Sequence, residues 1–292
     1  MTGSDASRSA TRSKDPTPPA ALLRGLIGAC HPAPTVAVTA LTTALAVGAG
    51  AGARITVLLG LAVLAGQLSI GWSNDWIDAA RDRAVSRADK PVAAGTVPVA
   101  VVRAAALIAL LAVVALSVPL GPAAAAVHLI AVVGSGWTYN LWLKRTWASW
   151  VPYVICFGLL PAVVTLVLPG RPWPPWWAVA TGALLGFGAH LANVLPDLVD
   201  DAATGVSGFP HRLGRTRTAV LAPVALSAAT GCVVVGAPGT AAWVVLGIVV
   251  LIAATAAVVA LTRPRSRWPF RLTLVVAALD VVLLAASGTQ LS

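Results

Sequence analysis

Long apolar runs separated by short polar segments dominate the chain. Each run has about 18 or more residues, the length that an α-helix needs to cross the hydrocarbon core of a bilayer. The runs are continuous and lack the period-two alternation of half-buried strands, which argues against a sheet protein. We find about nine of them, near residues 33–52, 55–73, 99–119, 122–142, 149–168, 174–195, 218–237, 240–262 and 270–288. The pattern predicts an all-α integral membrane protein with about nine transmembrane helices in a bundle.

Basic residues are distributed unevenly between the connections and predict an orientation. Of the 20 Lys and Arg residues, 18 precede the first run or follow an even-numbered run, and only Arg54 and Arg171 fall on the other side. The positive-inside rule places the basic side, and with it the N-terminus, in the cytoplasm. The net charge of +10 therefore indicates a lipid bilayer as the partner and not a nucleic acid. We predict a multi-pass protein of the cell membrane.

The first 20 residues differ from the rest because they are polar and rich in Ser, Thr, Pro and basic residues. Such a composition is typical of disordered segments. We predict a disordered cytoplasmic tail over 1–20 and a single transmembrane domain over 21–292. The three Cys residues are far apart and form no CxxC motif, which favours buried apolar side chains.

Acidic residues gather at two places on the basic side. All ten acidic residues are Asp, and seven lie in or just after "NDWIDAARD" (74–82) or within "NVLPDLVDD" (193–201). Residues four apart share one face of a helix. Two matching stripes of an amide and two carboxylates result: Asn74, Asp78 and Asp82, and Asn193, Asp197 and Asp201. Asp75 lies beside the first stripe, and Asp200 shares the face of the second.

Carboxylates on one helical face repel one another, and near lipid they also carry a desolvation cost. A divalent cation would explain them, because Mg²⁺ prefers oxygen ligands and is usually held by carboxylates together with substrate phosphates. The two stripes therefore predict a Mg²⁺-diphosphate site at the cytoplasmic side. No Walker A loop, zinc spacing, Ser–His–Asp set or Cys nucleophile suggests other chemistry. The candidate diphosphate ligands in the adjoining loops are Lys90, Lys144, Arg145 and Arg212.

These motifs resemble those of the UbiA superfamily of intramembrane prenyltransferases. The family's first signature, NDxxDxxxD, is complete at residues 74–82, and its second, DxxxD preceded by Asn, matches residues 193–201. Between them the family carries a Tyr followed by a Lys, here Tyr139 and Lys144 in "YNLWLKR". The predicted helix count and the internal N-terminus also agree, so the resemblance extends from about residue 22 to the end.

The resemblance implies Mg²⁺-dependent transfer of a prenyl group from an allylic isoprenoid diphosphate to a small hydrophobic, aromatic or lipid-like acceptor. The metal ligands that it implies are Asn74, Asp75, Asp78, Asp82, Asn193, Asp197, Asp200 and Asp201. Catalytic roles fall to Asp78, Asp197 and Tyr139, whose ring or hydroxyl would stabilise the allylic cation. The active site would face the cytoplasm.

The chain departs from the family pattern at a few positions. His31-Pro32 stands where the family commonly has Arg-Pro or Lys-Pro, and Lys90 stands where a loop usually ends in Arg-Pro. Pro196 lies inside the second stripe and should kink its helix just before Asp197. None of these departures replaces a predicted metal ligand. They bear instead on which substrates the protein accepts. His128, His190 and Asp280 receive no role from the sequence.

Three alternatives stay open at this point. A related class of enzyme uses the same motifs to cyclise a prenyl diphosphate without an acceptor. A transporter would also hold intramembrane acids, but it predicts them near mid-helix together with interrupted helices, whereas here they lie at helix ends. A scaffold or chaperone for lipid quinones is the third.

Overall fold

A computed structural model describes residues 18–203, 205–263, 266, 268–287 and 290–291, and over these residues it contains helices and loops but no strand. The all-α prediction is thereby confirmed. The helices are α1 Pro19–Ala29, α2 Pro32–Gly48, α3 Ala53–Ala84, α4 Val99–Ser117, α5 Pro122–Ala126, α6 Gly134–Leu141, α7 Val151–Thr165, α8 Trp176–Val194, α9 Leu198–Ala203, α10 Phe209–Leu213, α11 Arg215–Gly236, α12 Thr240–Thr262 and α13 Trp268–Ala286. A π-helix, Val127–Val133, joins α5 to α6, and 3-10 turns occupy Val118–Leu120 and Leu143–Arg145. Of the predicted tail over residues 1–20, residues 1–17 lie outside the described part of the chain.

Five helices of the described residues are long and apolar enough to cross a membrane: α3, α4 with the 3-10 turn after it, α8, α11 and α12. α1 and α2 together would make a sixth span, but they bend by 65° at the break between them. α7 is apolar and has only 15 residues. The spans near 55–73, 99–119, 174–195, 218–237 and 240–262 are thus supported, while the full count of nine and the orientation stay predictions.

α3 is much longer than a bilayer requires. Its 32 residues extend over about 48 Å at a rise of 1.5 Å per residue, whereas the hydrocarbon core is about 30 Å thick. Asp75, Asp78 and Asp82 occupy its last turns, and all three side chains are buried in protein. The apolar helix can therefore end in carboxylates without exposing them to lipid.

α1 and the break after it pack against the Asp-bearing end of α3. The indole Nε1 of Trp72 donates a hydrogen bond to the carbonyl oxygen of Leu26 at 2.9 Å. A Cβ atom at Gly71 would lie only 2.3 Å from the carbonyl oxygen of Cys30, so only glycine permits this approach. The contact places the next residue, His31, close to Asn74, which lies one turn further along α3.

α8 packs closely on α7 because two of its glycines face the backbone of α7. A Cβ atom at Gly182 would lie 2.3 Å from the carbonyl oxygen of Phe157, and one at Gly186 would lie 2.3 Å from that of Tyr153. Small residues four apart commonly bring helix backbones together in membranes. This packing fixes the end of α8 that carries Asn193.

The π-helix contains His128. It is one of two histidines in the predicted transmembrane runs for which the sequence indicates no role. The hydroxyl of Ser117, at the end of α4, lies 2.8 Å from Nδ1 of His128, and both side chains are buried. Buried polar groups are normally paired in this way. His128 therefore links α4 to the following helical segment, and its role is structural.

Asp280 on α13 lies fully buried near Thr230 of α11, yet neither of its carboxylate oxygens has a hydrogen-bond partner of good geometry. A buried polar group without a partner costs about 1–3 kcal/mol. We therefore expect Asp280→Leu to raise the melting temperature of the detergent-solubilised protein by about 3 °C or more, as measured by thermal unfolding. Asp280→Asn separates the effect of charge from that of polarity. A lower melting temperature for the Leu variant would show that the carboxylate makes a stabilising contact.

Candidate active site

The first carboxylate set lies along one unbroken face of α3. Asp78 Oδ1 accepts a hydrogen bond from Lys144 Nζ at 2.5 Å, and Asp78 Oδ2 accepts one from the Arg81 guanidinium at 3.0 Å. Arg81 also donates to Oδ1 of Asp82 at 3.3 Å. Two cations thus partly neutralise two buried carboxylates.

Lys144 reaches Asp78 from the 3-10 turn that follows α6. Lys144 is only 5% exposed. Burial lowers the pKa of Lys144 below its usual value, although the Asp78 carboxylate beside it opposes the shift. The ammonium is therefore a desolvated point charge at the cavity wall, where an anion gains more from it than it would in water.

The second set is not a continuation of α8, because the chain breaks at Pro196. α8 ends at Val194, Asp197 lies in the turn that follows, and Asp201 lies on α9. Proline has no backbone N–H, and its ring clashes with the preceding turn, so the helix stops before it. The predicted stripe is thus divided between α8, a turn and a short helix. Asp200 belongs to α9, but its side chain lies outside the described part.

Asp201 lines the same cavity as the first set. Burial raises the pKa of Asp201 to about 6, and the charges of Asp197 and Asp78 act in the same direction, while those of Arg81 and Arg87 oppose it. Asp78 and Arg81 belong to α3 and line the same cavity as Asp201, which is why their charges act on its carboxyl group. The cost of ionising Asp201 near other carboxylates would fall if a cation lay between them.

Both sets line one cavity of about 380 Å³. The predicted site residues on its wall are Asn74, Asp78, Asp82, Lys90, Tyr139, Lys144, Asn193, Asp197 and Asp201. Apolar side chains lie beside them, among them Val194, Val206 and Phe270. Charged groups and an apolar surface thus meet in one space, which suits a ligand with an anionic head and an apolar tail.

Some predicted residues do not reach this cavity. Arg145 and Arg212 are exposed and are not part of its lining. Asp75 is buried behind the wall, where its Oδ1 lies 3.1 Å from Lys90 Nζ. The structure does not bring these three side chains to the cavity, and their roles as ligands stay predictions.

Two arginines that the sequence analysis did not select do reach the cavity. Arg81 lies inside the first motif, between two of its carboxylates. Arg87 pairs with Asp89 at 2.9 Å and lies 3.6 Å from Asp197, so it connects the α3–α4 loop to the turn after α8. The Arg-rich character of the loop after the first motif was the signal that could have identified Arg87, and the position of Arg81 between two motif carboxylates was the signal for Arg81.

Aromatic rings form the wall behind Tyr139. The ring centroids of Tyr139 and Tyr153 are 5.2 Å apart, and those of Tyr153 and His190 are 4.7 Å apart. His190 is buried, and its Nε2 lies 3.0 Å from Oγ of Ser149, which also accepts a hydrogen bond from the backbone N–H of Phe209 at 2.8 Å. His190 thus ties α8 to the start of α10 and supports the wall from outside the cavity.

The donor set fits a hard divalent cation held jointly with a ligand. In the part of the chain that the structure describes, no three His, Cys, Asp or Glu side chains form a complete metal-binding group. Mg²⁺ rarely needs one, because it usually takes one or two carboxylates and completes its shell with water and phosphate oxygens. Oδ2 of Asp82 is buried and has no hydrogen-bond partner, and an unused carboxylate oxygen of this kind is what such a cation requires.

Solved structures share this fold. The chain is similar to an apo UbiA homologue from Aeropyrum pernix K1, with a TM-score of 0.69, 19% identity, and 85% of this chain and 96% of that chain covered. It is also similar to a UbiA homologue from Archaeoglobus fulgidus bound to GPP and Mg²⁺, with a TM-score of 0.64, 14% identity, and 90% and 99% covered. A structure of digeranylgeranylglyceryl phosphate synthase in membranes gives a TM-score of 0.63, 14% identity, and 92% and 99% covered.

Sequence comparison extends this result from the fold to the family. No curated protein sequence matches the chain. The sequence profile of the UbiA prenyltransferase family, in contrast, matches residues 34–279. That range includes both Asp-rich segments and the "YNLWLKR" segment between them. The chain belongs to the UbiA prenyltransferase family, whose members are prenyltransferases embedded in membranes.

Proposed function

We propose that the protein transfers a prenyl group from an allylic isoprenoid diphosphate to an aromatic or lipid-like acceptor, with Mg²⁺ as cofactor. One observation carries the proposal: both carboxylate sets and the cations Arg81, Arg87 and Lys144 line a single cavity that apolar side chains also line. The structural relative from Archaeoglobus fulgidus that is bound to GPP and Mg²⁺ supports it. Membership of a prenyltransferase family favours an enzyme over a transporter or a scaffold.

The diphosphate would lie between the two carboxylate sets. Asp78, Asp82, Asp197 and Asp201 would hold Mg²⁺, with Asn74, Asn193, Asp75 and Asp200 as the wider predicted set. Bound Mg²⁺ neutralises charge on phosphate oxygens and so makes diphosphate a better leaving group. Hydrogen bonds to the same oxygens would come from Lys144, Arg81 and Arg87. An arginine can bind phosphate through two parallel N–H groups, whereas a lysine binds it through one compact ammonium charge.

The apolar wall would protect the reacting carbon. As the allylic C–O bond breaks, positive charge develops on the prenyl group, and Phe270, Val194 and Val206 would exclude water from it. The Tyr139 ring can stabilise a cation through its π face. The acceptor then supplies the electron pair for the new bond and loses a proton.

We also propose the placement of the site. The basic connections lie on the same side as both Asp sets, and the positive-inside rule assigns that side to the cytoplasm. The diphosphate would therefore enter from the cytoplasm, while the apolar groups of donor and acceptor lie among the helices.

The purified protein, incubated with DMAPP, GPP and longer isoprenoid diphosphates, with and without aromatic acceptors, tests the proposal. We expect Mg²⁺-dependent release of diphosphate together with a prenylated acceptor, measured by a diphosphate assay and mass spectrometry. Chelation of the metal should stop both. A cyclised hydrocarbon or alcohol formed without an acceptor would show a cyclase instead, and no diphosphate release from any donor would refute both enzymes.

A further inference from the structure

The Lys90 ammonium is surrounded by polar partners inside the protein. Its Nζ lies 3.1 Å from Nε2 of His31 and 3.1 Å from Oδ1 of Asn74, and it forms an ion pair with Oδ1 of Asp75 at 3.1 Å. An ammonium has three N–H donors and no acceptor; two of these donors point to His31 and Asn74, and the Asp75 carboxylate balances the charge as an ion pair. The Lys90 side chain is only 14% exposed, and a diphosphate in the cavity would compete with these three neighbours for it.

His31 is held in an unusual conformation where it meets Lys90. It lies in the break between α1 and α2 with φ 55° and ψ 68°, a left-handed region that a residue with a side chain occupies at a cost. Because an ammonium can only donate, Nε2 of His31 must be the acceptor of this hydrogen bond. The contact thus requires an uncharged acceptor at position 31, and a lysine there would place two cations side by side.

Lys90 also determines how Asn74 is oriented. Oδ1 of Asn74 accepts from Lys90, and its Nδ2 donates to Oδ1 of Asn140 at 3.1 Å. Asn140 is buried and in turn donates to Oγ of Ser73 at 2.8 Å and to the carbonyl oxygen of Ile70 at 2.9 Å. The amide of Asn74 is therefore fixed at both ends, and its end at the cavity is fixed by Lys90.

Two of the departures from the family pattern, those at positions 31 and 90, are in direct contact. We propose that His31, Lys90, Asn74 and Asp75 form a clasp in which Lys90 is a positioning residue that orients Asn74 and holds the α3–α4 loop against α1, and does not bind the diphosphate. The proposal rests on the proposed function for the meaning of the site, and it replaces the role in diphosphate binding that the sequence predicts for Lys90.

Two substitutions at position 31 distinguish the clasp from a diphosphate contact. His31→Gln keeps an uncharged acceptor, whereas His31→Lys adds a cation facing Lys90. We expect His31→Lys to lower kcat about tenfold relative to His31→Gln, with donor KM values that agree within about twofold because diphosphate binding itself is not affected. A lower donor KM for His31→Lys, with an unchanged kcat, would overturn the proposal, since it would show that position 31 faces the phosphates.

A second measurement needs no enzyme activity. Thermal unfolding of the wild type, His31→Leu, Lys90→Met and the double variant, without metal or donor, forms a double-mutant cycle. The clasp predicts that either single substitution lowers the melting temperature and that the second adds little to the first. Fully additive effects would overturn the clasp. A wild type that releases no diphosphate would refute the proposed function and leave this cycle interpretable.

Discussion

Asp78→Asn is expected to lower Mg²⁺-dependent diphosphate release at least about 10³-fold. Asp78 lines the cavity, where it contacts Lys144 and Arg81 and shares the lining with Asp201. An amide keeps the shape of the side chain but lacks the anionic oxygens that a hard divalent cation prefers. Steady-state diphosphate release by the purified variant, at saturating donor and over a series of Mg²⁺ concentrations, measures the loss.

Loss of chemistry must be separated from loss of fold, because removing one partner of a buried ion pair costs about 3–5 kcal/mol. The double variant Asp78→Asn with Lys144→Met removes both charges, and it should recover thermal stability without recovering activity. Asp280→Asn makes the same chemical change at a buried carboxylate on α13, away from the cavity, and its rate should stay close to that of the wild type. A folded Asp78→Asn protein with wild-type activity would contradict the metal assignment.

Sequence spacing was sufficient for the first carboxylate set because α3 continues unbroken through it. Asn74, Asp78 and Asp82 are four apart, and all three reach the cavity from one helical face. The same spacing recurs at Asn193, but there it does not describe a single helix. Pro196 ends α8, and the direction in which α9 leaves the turn depends on tertiary packing that no period in the sequence encodes.

The transmembrane helices could be predicted from apolarity, but their interruptions could not. The run near 122–142 is helical from Pro122 to Leu141, yet it passes through a π-helix, and the run near 149–168 becomes a helix of 15 residues. Length and hydropathy report how much of a segment can be buried in lipid. They carry little information about local changes of pitch, which depend on contacts such as that between Ser117 and His128.

The cations of the site were harder to assign, because neighbours in sequence can point in opposite directions. Lys144 and Arg145 share one 3-10 turn, but Lys144 is buried against Asp78 and Arg145 is exposed. Arg87 was one of several basic residues in its loop, and only the fold shows that it spans to Asp197. A basic loop thus predicts that an anion can bind nearby, and the path of the backbone decides which side chains contact it.

Lys144→Met is therefore expected to lower kcat/KM for the isoprenoid diphosphate about 100-fold, whereas Arg145→Met should lower it less than about threefold. Each substitution removes one positive charge from the same turn, so long-range effects on an anionic substrate are nearly equal, and the difference reports direct contact. Steady-state kinetics with a single donor, together with thermal unfolding of both variants, measures it. Equal losses in the two variants would mean that the general basic charge of this face attracts the donor and that Lys144 makes no specific contact with it.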